Sequence, residues 1–347
     1  MNTDITAKDW TPMISIIIAV YNEEERLGRC IQSVLQQVYQ DYEIVIVNDG
    51  STDGSKKIID SYTRKYGEKI ISVHKKNGGQ ASARNQGISI AKGKYVTFID
   101  ADDYIKRNYL ATLVSVAEEY KYDMVCSGQY KVKEDGKVID SIRYKSHNGQ
   151  CLARRLNISG KIYLASYLKM NHICFPEGKT YEDNSFNLEA FFLSSRIYFL
   201  DYAGYYQVVH EGSTTSKIIC KENLPLTEWN HCIEKILSSR KENMDSQLFE
   251  FTVLSFLTYL LFVRIRKREY LSNTDRQSNI DNAIIIARVF EQMTNKYFPY
   301  ARKNRYMNFL NYKELPLSQK LGVKVFSWVC YWNKLDRFTK LFYKAMK

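Results

Sequence analysis

The chain has 347 residues, 45% of them hydrophobic and 25% charged, which is enough to bury a full core in two domains or one enlarged one and excludes wholesale disorder. Its formal net charge is +12, yet residues 1–215 carry 27 Lys+Arg against 26 Asp+Glu while residues 216–347 carry 23 against 12. The basicity therefore belongs to the C-terminal third, where it is interleaved with aromatic and aliphatic residues, a pattern that suits anionic lipid as well as nucleic acid.

The polar start Met1–Trp10 lacks the apolar core of a signal peptide, so a cytoplasmic location is expected. From Ile14 to about Ser127, short apolar runs alternate with helical patterns, which predicts β-α units and a parallel sheet. The predicted strands are Ile14–Val20, Tyr42–Asn48, Ile70–His74, Tyr95–Asp100 and Met124–Ser127, with Leu27, Ile31, Val34, Leu35 and Val38 at helical spacing between the first two. Ligands of such sheets bind beyond the carboxyl ends of the strands, where loops and helix N-termini converge. Polar residues collect at those ends: Tyr21-Asn22-Glu23-Glu24, Asn48-Asp49-Gly50-Ser51, Asn77-Gly78-Gly79 and Asp100-Ala101-Asp102-Asp103. Gln129 to Ser216 reads as mixed strand and helix, and the pattern from Leu226 onward is mostly helical. Seven cysteines (Cys30, Cys126, Cys151, Cys174, Cys220, Cys232 and Cys330) lie scattered, without a Cys-x-x-Cys pair, and read as reduced thiols.

Four stretches carry candidate chemistry. Asp100-Ala101-Asp102 aims hard carboxylate oxygens at the ligand edge of the sheet, a set that suits Mg²⁺ or Mn²⁺ rather than Zn²⁺; a solvated turn contains such pairs as well. Asp49-Gly50 is ordinary turn chemistry, with Ser51 or Thr52 available to cap the next helix, while the Asp49 carboxylate is also suited to accept from a ring N–H of a bound base. In Asn77 to Gly87, small residues permit close backbone approach and Arg84 offers a donor fork for phosphate or base; alternatively this is a packed helix with one exposed Arg. Glu182-Asp183 precedes a helical apolar pattern, so it is either a favourable charge at a helix N-terminus or supplies a general base, Asp183. His210 is either structural or completes a metal or diphosphate site.

Taken in order, Ser15 to Glu24, Asn48 to Asp53, Asn77 to Gly87, Asp100 to Asp103 and Glu182-Asp183 closely resemble family 2 of the inverting glycosyltransferases, over about Met13 to Ser216. The resemblance implies an α/β GT-A fold, Rossmann-like with a mostly parallel sheet flanked by helices, and a helical C-terminal extension. It implies that Ala19, Tyr21 and Glu24 line the nucleoside pocket, that Asp49 reads the base and that Arg84 lies near base or diphosphate. Asp100 would face ribose and metal, Asp102 would bind Mn²⁺ or Mg²⁺, His210 would join them, and Asp183 would be the base. Ala19 stands where many members have Pro, Asn48 where Asp is common, Ser159-Gly160-Lys161 where many show Asn-Lys, and His210 where Arg is frequent. The implied reaction is a single displacement from a UDP-sugar onto a hydroxyl of a glycan or lipid-linked acceptor, with inversion, in the synthesis of surface polysaccharide. A catalytically silent nucleotide-sugar-binding scaffold is the alternative.

The expected organisation is a tail over 1–12, a catalytic domain over 13–216 with donor part 13–127 and acceptor part 128–216, and a helical basic region over 217–347. In that region Phe251–Val263 is apolar but falls short of the ~20 residues that span a bilayer, which predicts a buried or interfacial helix. Leu321, Val325, Trp328, Trp332 and Leu335 step by four and three beside Lys320, Lys324, Lys334, Arg337, Lys340, Lys344 and Lys347, predicting one amphipathic helix suited to an anionic membrane. Packing of the stripe on the catalytic domain is the other reading. The expected location is the inner face of the cell membrane, peripherally; no nucleic-acid module is recognisable, so no nucleic-acid partner is expected.

Overall fold

The computed structural model describes residues 11–144, 156–210, 219–239, 244–265, 276–312 and 315–345. The chain divides into two compact units, one formed by Met1–His147, Asn157–Gly178 and Glu182–Ser213, the other by Asn148–Leu156, Lys179–Tyr181 and Thr214–Lys347.

The first unit is built on a nine-stranded sheet. Its strands are β1 (Ile14–Val20), β2 (Tyr42–Asn48), β3 (Ile70–His74), β4 (Tyr95–Phe98), β5 (Tyr104–Ile105), β6 (Met124–Lys133), β7 (Val138–Ile142), β8 (Lys161–Leu164) and β9 (Ile197–Val209), in the order β3-β2-β1-β4-β8-β6-β9-β5 with β7 on β6. The β3-β2-β1-β4 half is wholly parallel, and β1, β2 and β3 are Ile/Val-rich runs, as buried parallel strands are. Beyond β4 the sheet is mixed: β8 is antiparallel to both neighbours, and β6 and β9 run parallel.

Three helices follow the first three strands: α1 (Leu27–Leu35), α2 (Ser55–Lys65) and α3 (Gln80–Ile90). Leu27, Cys30, Ile31 and Val34 of α1 are buried, the i, i+3, i+4, i+7 stripe of a helix lying on a sheet. Helix α3 approaches β1 so closely that a Cβ on Gly87 would lie 2.4 Å from Ile17 Cγ2. Helices α4 (Tyr109–Tyr120), α5 (Ala165–Met170) and α6 (Glu182–Phe192) complete the unit.

The register aligns Val20 with Asn48 and Asn48 with His74, so the loops after β1, β2 and β3 emerge at one edge, as expected. Two strand ends differ from the sequence reading. Strand β4 stops at Phe98 rather than Asp100, because the Asp100 amide turns to the Tyr205 hydroxyl and Asp103 N closes a turn onto Asp100 O. Strand β6 runs six residues past Ser127, drawn on by parallel pairing with β9 and by the β7 hairpin. Neither Ser51 nor Thr52 caps α2: its N-cap is Gly54, and Ser51 Oγ accepts from Asn22 N instead.

The second unit contains α7 (Leu226–Ser238), α8 (Ser246–Tyr259, prolonged by a π-helical turn over Leu260–Arg264), α9 (Arg276–Tyr297), α10 (Leu317–Tyr331) and α11 (Leu335–Ala345). Here the reading of Phe251–Val263 as too short needs correction. Asp245 accepts from Leu248 N and starts the helix at Ser246, giving a 19-residue stretch, Ser246–Arg264, long and apolar enough to cross a membrane. Most of it is nevertheless buried, with Phe249, Phe251 and Leu254 fully enclosed. The single amphipathic helix expected across Leu321–Leu335 is two helices, α10 and α11, broken where Asn333 adopts φ 52°. Arg266, Lys267, Arg268, Lys347, Cys151 and residues 211–218 lie outside the described residues; Cys30, Cys220 and Cys330 are free thiols.

Candidate active site

The carboxyl edge of the parallel half gathers the candidate residues. After β2, Asp49 is buried, and Gly50 at φ 74° lets the Asn77 loop approach: a Cβ there would stand 2.7 Å from Asn77 N. Asp49 holds that loop with Oδ1 accepting from Lys75 Nζ at 2.8 Å and Gly78 N at 2.9 Å, and Oδ2 from Gly79 N at 2.7 Å. These three bonds bear out the turn-chemistry reading of Asp49. Glu24 is more committed, joining the loop after β1 to that after β2 through Glu24 N to Asp53 Oδ2 and Gly54 N to Glu24 Oε2. Tyr21, directly after β1, is 49% exposed and Ala19 is half-buried.

Arg84 is not an exposed Arg on a packed helix. It emerges from α3 with its side chain only 3% exposed and spans three carboxylates: Asp100 Oδ1 at 2.8 Å, Asp183 Oδ1 at 2.8 Å and Glu182 Oε1 at 3.1 Å. Its guanidinium also lies 5.4 Å from the Phe175 ring centroid. Glu182 and Asp183 occupy the first turn of α6, where the helix dipole favours them. Desolvation pushes the Asp183 carboxyl up to about 7, Arg84 pulling the other way and Glu182 and Asp100 reinforcing the rise. A carboxylate near neutrality is suited to proton transfer, so Asp183 combines a fixed orientation with a useful basicity.

Asp102 lies two residues past Asp100 and bonds His210 Nε2 through Oδ2 at 2.9 Å. Glu23, Asp102 and His210 form one group whose ligand atoms all lie within 4.8 Å of one another, and Asp100, Asp102 and Asp103 form another. Burial raises the Asp102 carboxyl, Asp100 adds to the rise, and the His210 bond opposes it. Glu23 is likewise raised by desolvation and by Asp102. Arg26 pairs with Glu23, Arg84 with Asp100 and His210 with Asp102; carboxylate oxygens gathered this closely beside one imidazole are a donor set that fits Mn²⁺ or Mg²⁺. Asp103 belongs to the frame instead, because its oxygens accept from Tyr205 Oη at 2.7 Å and Val208 N at 2.7 Å.

Sequence reasoning gave no site role to Glu23 or Lys75, and took Glu182 only as a charge beside Asp183 at a helix N-terminus. The signals were present, since Glu23 opens an acidic run directly after β1, Glu182 adjoins Asp183, and Lys75 follows β3.

Residues 15–180 match the family described as Glycosyl transferase family 2. Glycosyltransferase GlyG of Streptococcus pneumoniae serotype 4 is 32% identical over 206 residues, covering 54% of this chain and 68% of GlyG. Glycosyltransferase GlyA of the same organism is 29% identical over 246 residues, 65% of this chain but 34% of GlyA, so the matched part spans about a third of that relative. In fold, the crystal structure of S. aureus TarS 1–349 in complex with UDP-GlcNAc resembles the chain with a TM-score of 0.71 at 21% identity, over 96% of this chain and 91% of that one.

Proposed function

The chain belongs to glycosyl transferase family 2 and is a glycosyltransferase; from that premise we propose that it transfers one sugar from a UDP-sugar to a hydroxyl of a glycan or lipid-linked acceptor, inverting the anomeric carbon, in surface polysaccharide synthesis. The observation that carries this reading is the three-carboxylate clamp of Arg84, which ties the proton acceptor Asp183 to the donor-side Asp100 through one buried cation. The UDP-GlcNAc complex named for TarS supports a UDP-type donor.

In the proposed reaction Asp183 accepts the proton of the acceptor hydroxyl, the oxygen attacks the anomeric carbon, and the bond to the UDP oxygen breaks on the opposite face. No second nucleophile is required. Asp49, with Ala19, Tyr21 and Glu24 around it, would receive the base; Asp100 would face the ribose; Asp102, with Asp100 and His210, would hold Mn²⁺ or Mg²⁺, and Glu23, grouped with Asp102 and His210, is a further candidate ligand. Bound there, the cation would neutralise the departing diphosphate.

The helical unit fits a peripheral place on the inner face of the cell membrane. Helix α10 buries Val323, Phe326 and Cys330 on one side, while on the other Leu317 is 63% exposed and Leu321 51%, with Trp332 just past its end at 56%. Lys320, Lys324 and Lys334 accompany that outer stripe, a Trp- and Lys-bearing face suited to anionic headgroups.

The reading is tested by UDP release from a panel of UDP-sugars with Mn²⁺ or Mg²⁺, comparing wild type with Asp102→Ala and Asp183→Asn. Metal-dependent turnover lost in both variants is the expected result. Donor binding without turnover on any acceptor, equal in wild type and Asp183→Asn, would mark a silent scaffold instead.

A further inference from the structure

Beside the turn that carries Asp102, the catalytic unit holds a cleft of about 340 Å³, lined mainly by Arg29, Gln32 and Ser33 of α1, its C-cap Gln36, and Tyr104 and Arg107. The α1 positions are three, four and seven residues apart, so one helical face supplies them. The lining holds two guanidinium groups, two carboxamides and two hydroxyls but no carboxylate. That is a local concentration of positive charge within a nearly neutral part of the chain.

Arg29 is held in place but not saturated. Its Nη2 donates to Asp102 O at 3.0 Å and its guanidinium lies 4.8 Å from the Tyr104 ring centroid. Its Nε–H is shielded from water and has no acceptor among the described residues. Arg107 is exposed at the other side of the lining. From Arg29 the stack continues along the sheet: Tyr104 on Tyr206 with centroids 4.6 Å apart, then Tyr206 on Tyr130 at 5.1 Å. Half-buried rings stacked in such a row leave their edges to sugar C–H groups.

We propose that this cleft binds an oxyanion of the acceptor, a phosphate or a carboxylate, and that the acceptor is therefore an anionic glycan. Guanidinium forks match the oxygen geometry of both groups, and Gln36 adds neutral N–H donors. Because Arg29 shares the Asp102 main chain, an anion bound here lies beside the candidate donor site, where an acceptor chain has to pass. Its identity as part of the acceptor rests on the transferase reading above; that the cleft takes an oxyanion does not.

The test is calorimetric titration of the full chain with oligo(glycerol phosphate), oligogalacturonate and a neutral maltooligosaccharide, for wild type, Arg107→Gln and Gln36→Glu. Neither substitution touches the proposed donor or metal residues, so UDP release in the absence of an anionic oligomer should stay at the wild-type level. Binding of at least one anionic oligomer, absent for the neutral one and weakened about tenfold in each variant, is expected, since one charge-assisted hydrogen bond is of that size. Preference for the phosphate oligomer marks a phosphodiester glycan, and preference for the uronate a carboxylated one. Anionic oligomers bound equally by wild type and both variants, or no better than the neutral one, overturn the cleft even with UDP release intact. Cleft binding without UDP release from any donor overturns the transferase reading and leaves the oxyanion site standing.

Discussion

The sheet edge of the catalytic unit and the surface of the helical unit handle charge in opposite ways. In the catalytic unit the charged side chains at the sheet edge are enclosed and held by named partners: Arg84 by three carboxylates, Asp49 by Lys75 and two amides, Asp103 by Tyr205 and Val208. In the helical unit the ion pairs lie at the surface, with the cations of Arg288–Asp336, Lys296–Glu234 and Arg305–Asp245 exposed by 62%, 61% and 56%. Enclosed charge depends on each partner, whereas exposed charge is screened and additive. The catalytic unit should therefore fail at single, nearly isosteric substitutions whatever the salt, and the helical unit should weaken by increments that salt imitates.

The largest expected effect is that of Asp183→Asn, a change of one atom that still lets the side chain accept from Arg84. Loss of a general base predicts a fall in kcat of about 10²–10⁴, read as UDP release, with the melting temperature nearly unmoved. A fall below tenfold would break the assignment. Asp102→Ala should cost about 10²–10³ and abolish stimulation by Mn²⁺. A chelator should reproduce the loss in wild type, and added Mn²⁺ should restore wild type but not the variant.

Arg84→Gln strikes the clamp itself. Removing one partner of an enclosed ion cluster costs about 3–5 kcal/mol, measurable by urea unfolding. Because Arg84 lowers the Asp183 carboxyl, its loss should also move the pH profile of kcat to the alkaline side, which a merely structural role would not do. In wild type the base acts when deprotonated, so kcat should rise with pH and level off above about 7, standing roughly tenfold lower one pH unit beneath that value. The sign for stability is opposite. A carboxyl raised in the folded state supports folding when protonated, so this contribution is complete at pH values below its unfolded pKa and is lost as the pH climbs through about 7.

These contrasts also explain what the sequence could disclose. Strands β1, β2 and β3 have the predicted bounds because each is an Ile/Val run closed by polar turn residues, a local signal. The insertion of antiparallel β8 between β4 and β6, and the extension of β6, depend on partners far along the chain and leave no local trace. Asp49 and Asp100 were legible as strand-end residues for the same reason as the strands, since they stand where apolar runs stop. The Arg84 clamp was not, because it joins residues 98 and 99 positions apart. Its hydrogen bonds are chosen by tertiary structure, and an arginine on a helix of small residues reads equally as exposed. The break at Asn333 was hidden because Trp332 and Leu335 continue the helical spacing through it.

The smallest expected effect sharpens the comparison from the other side. Lys334 is exposed beside Trp332, and a lysine near an anionic surface contributes about 1 kcal/mol, so Lys334→Gln should weaken cosedimentation with phosphatidylglycerol-containing vesicles roughly fivefold. Raising the salt should weaken wild type in the same manner, and vesicles of phosphatidylcholine alone should not distinguish the two proteins. Trp332→Ala, in contrast, should lower binding to both kinds of vesicle, because the indole contributes apolar contact that salt does not screen. Turnover of a soluble acceptor should be unchanged in each. If Lys334→Gln alone abolished binding, the charge there would be acting as a specific enclosed contact, and the helical unit would follow the rule of the catalytic one.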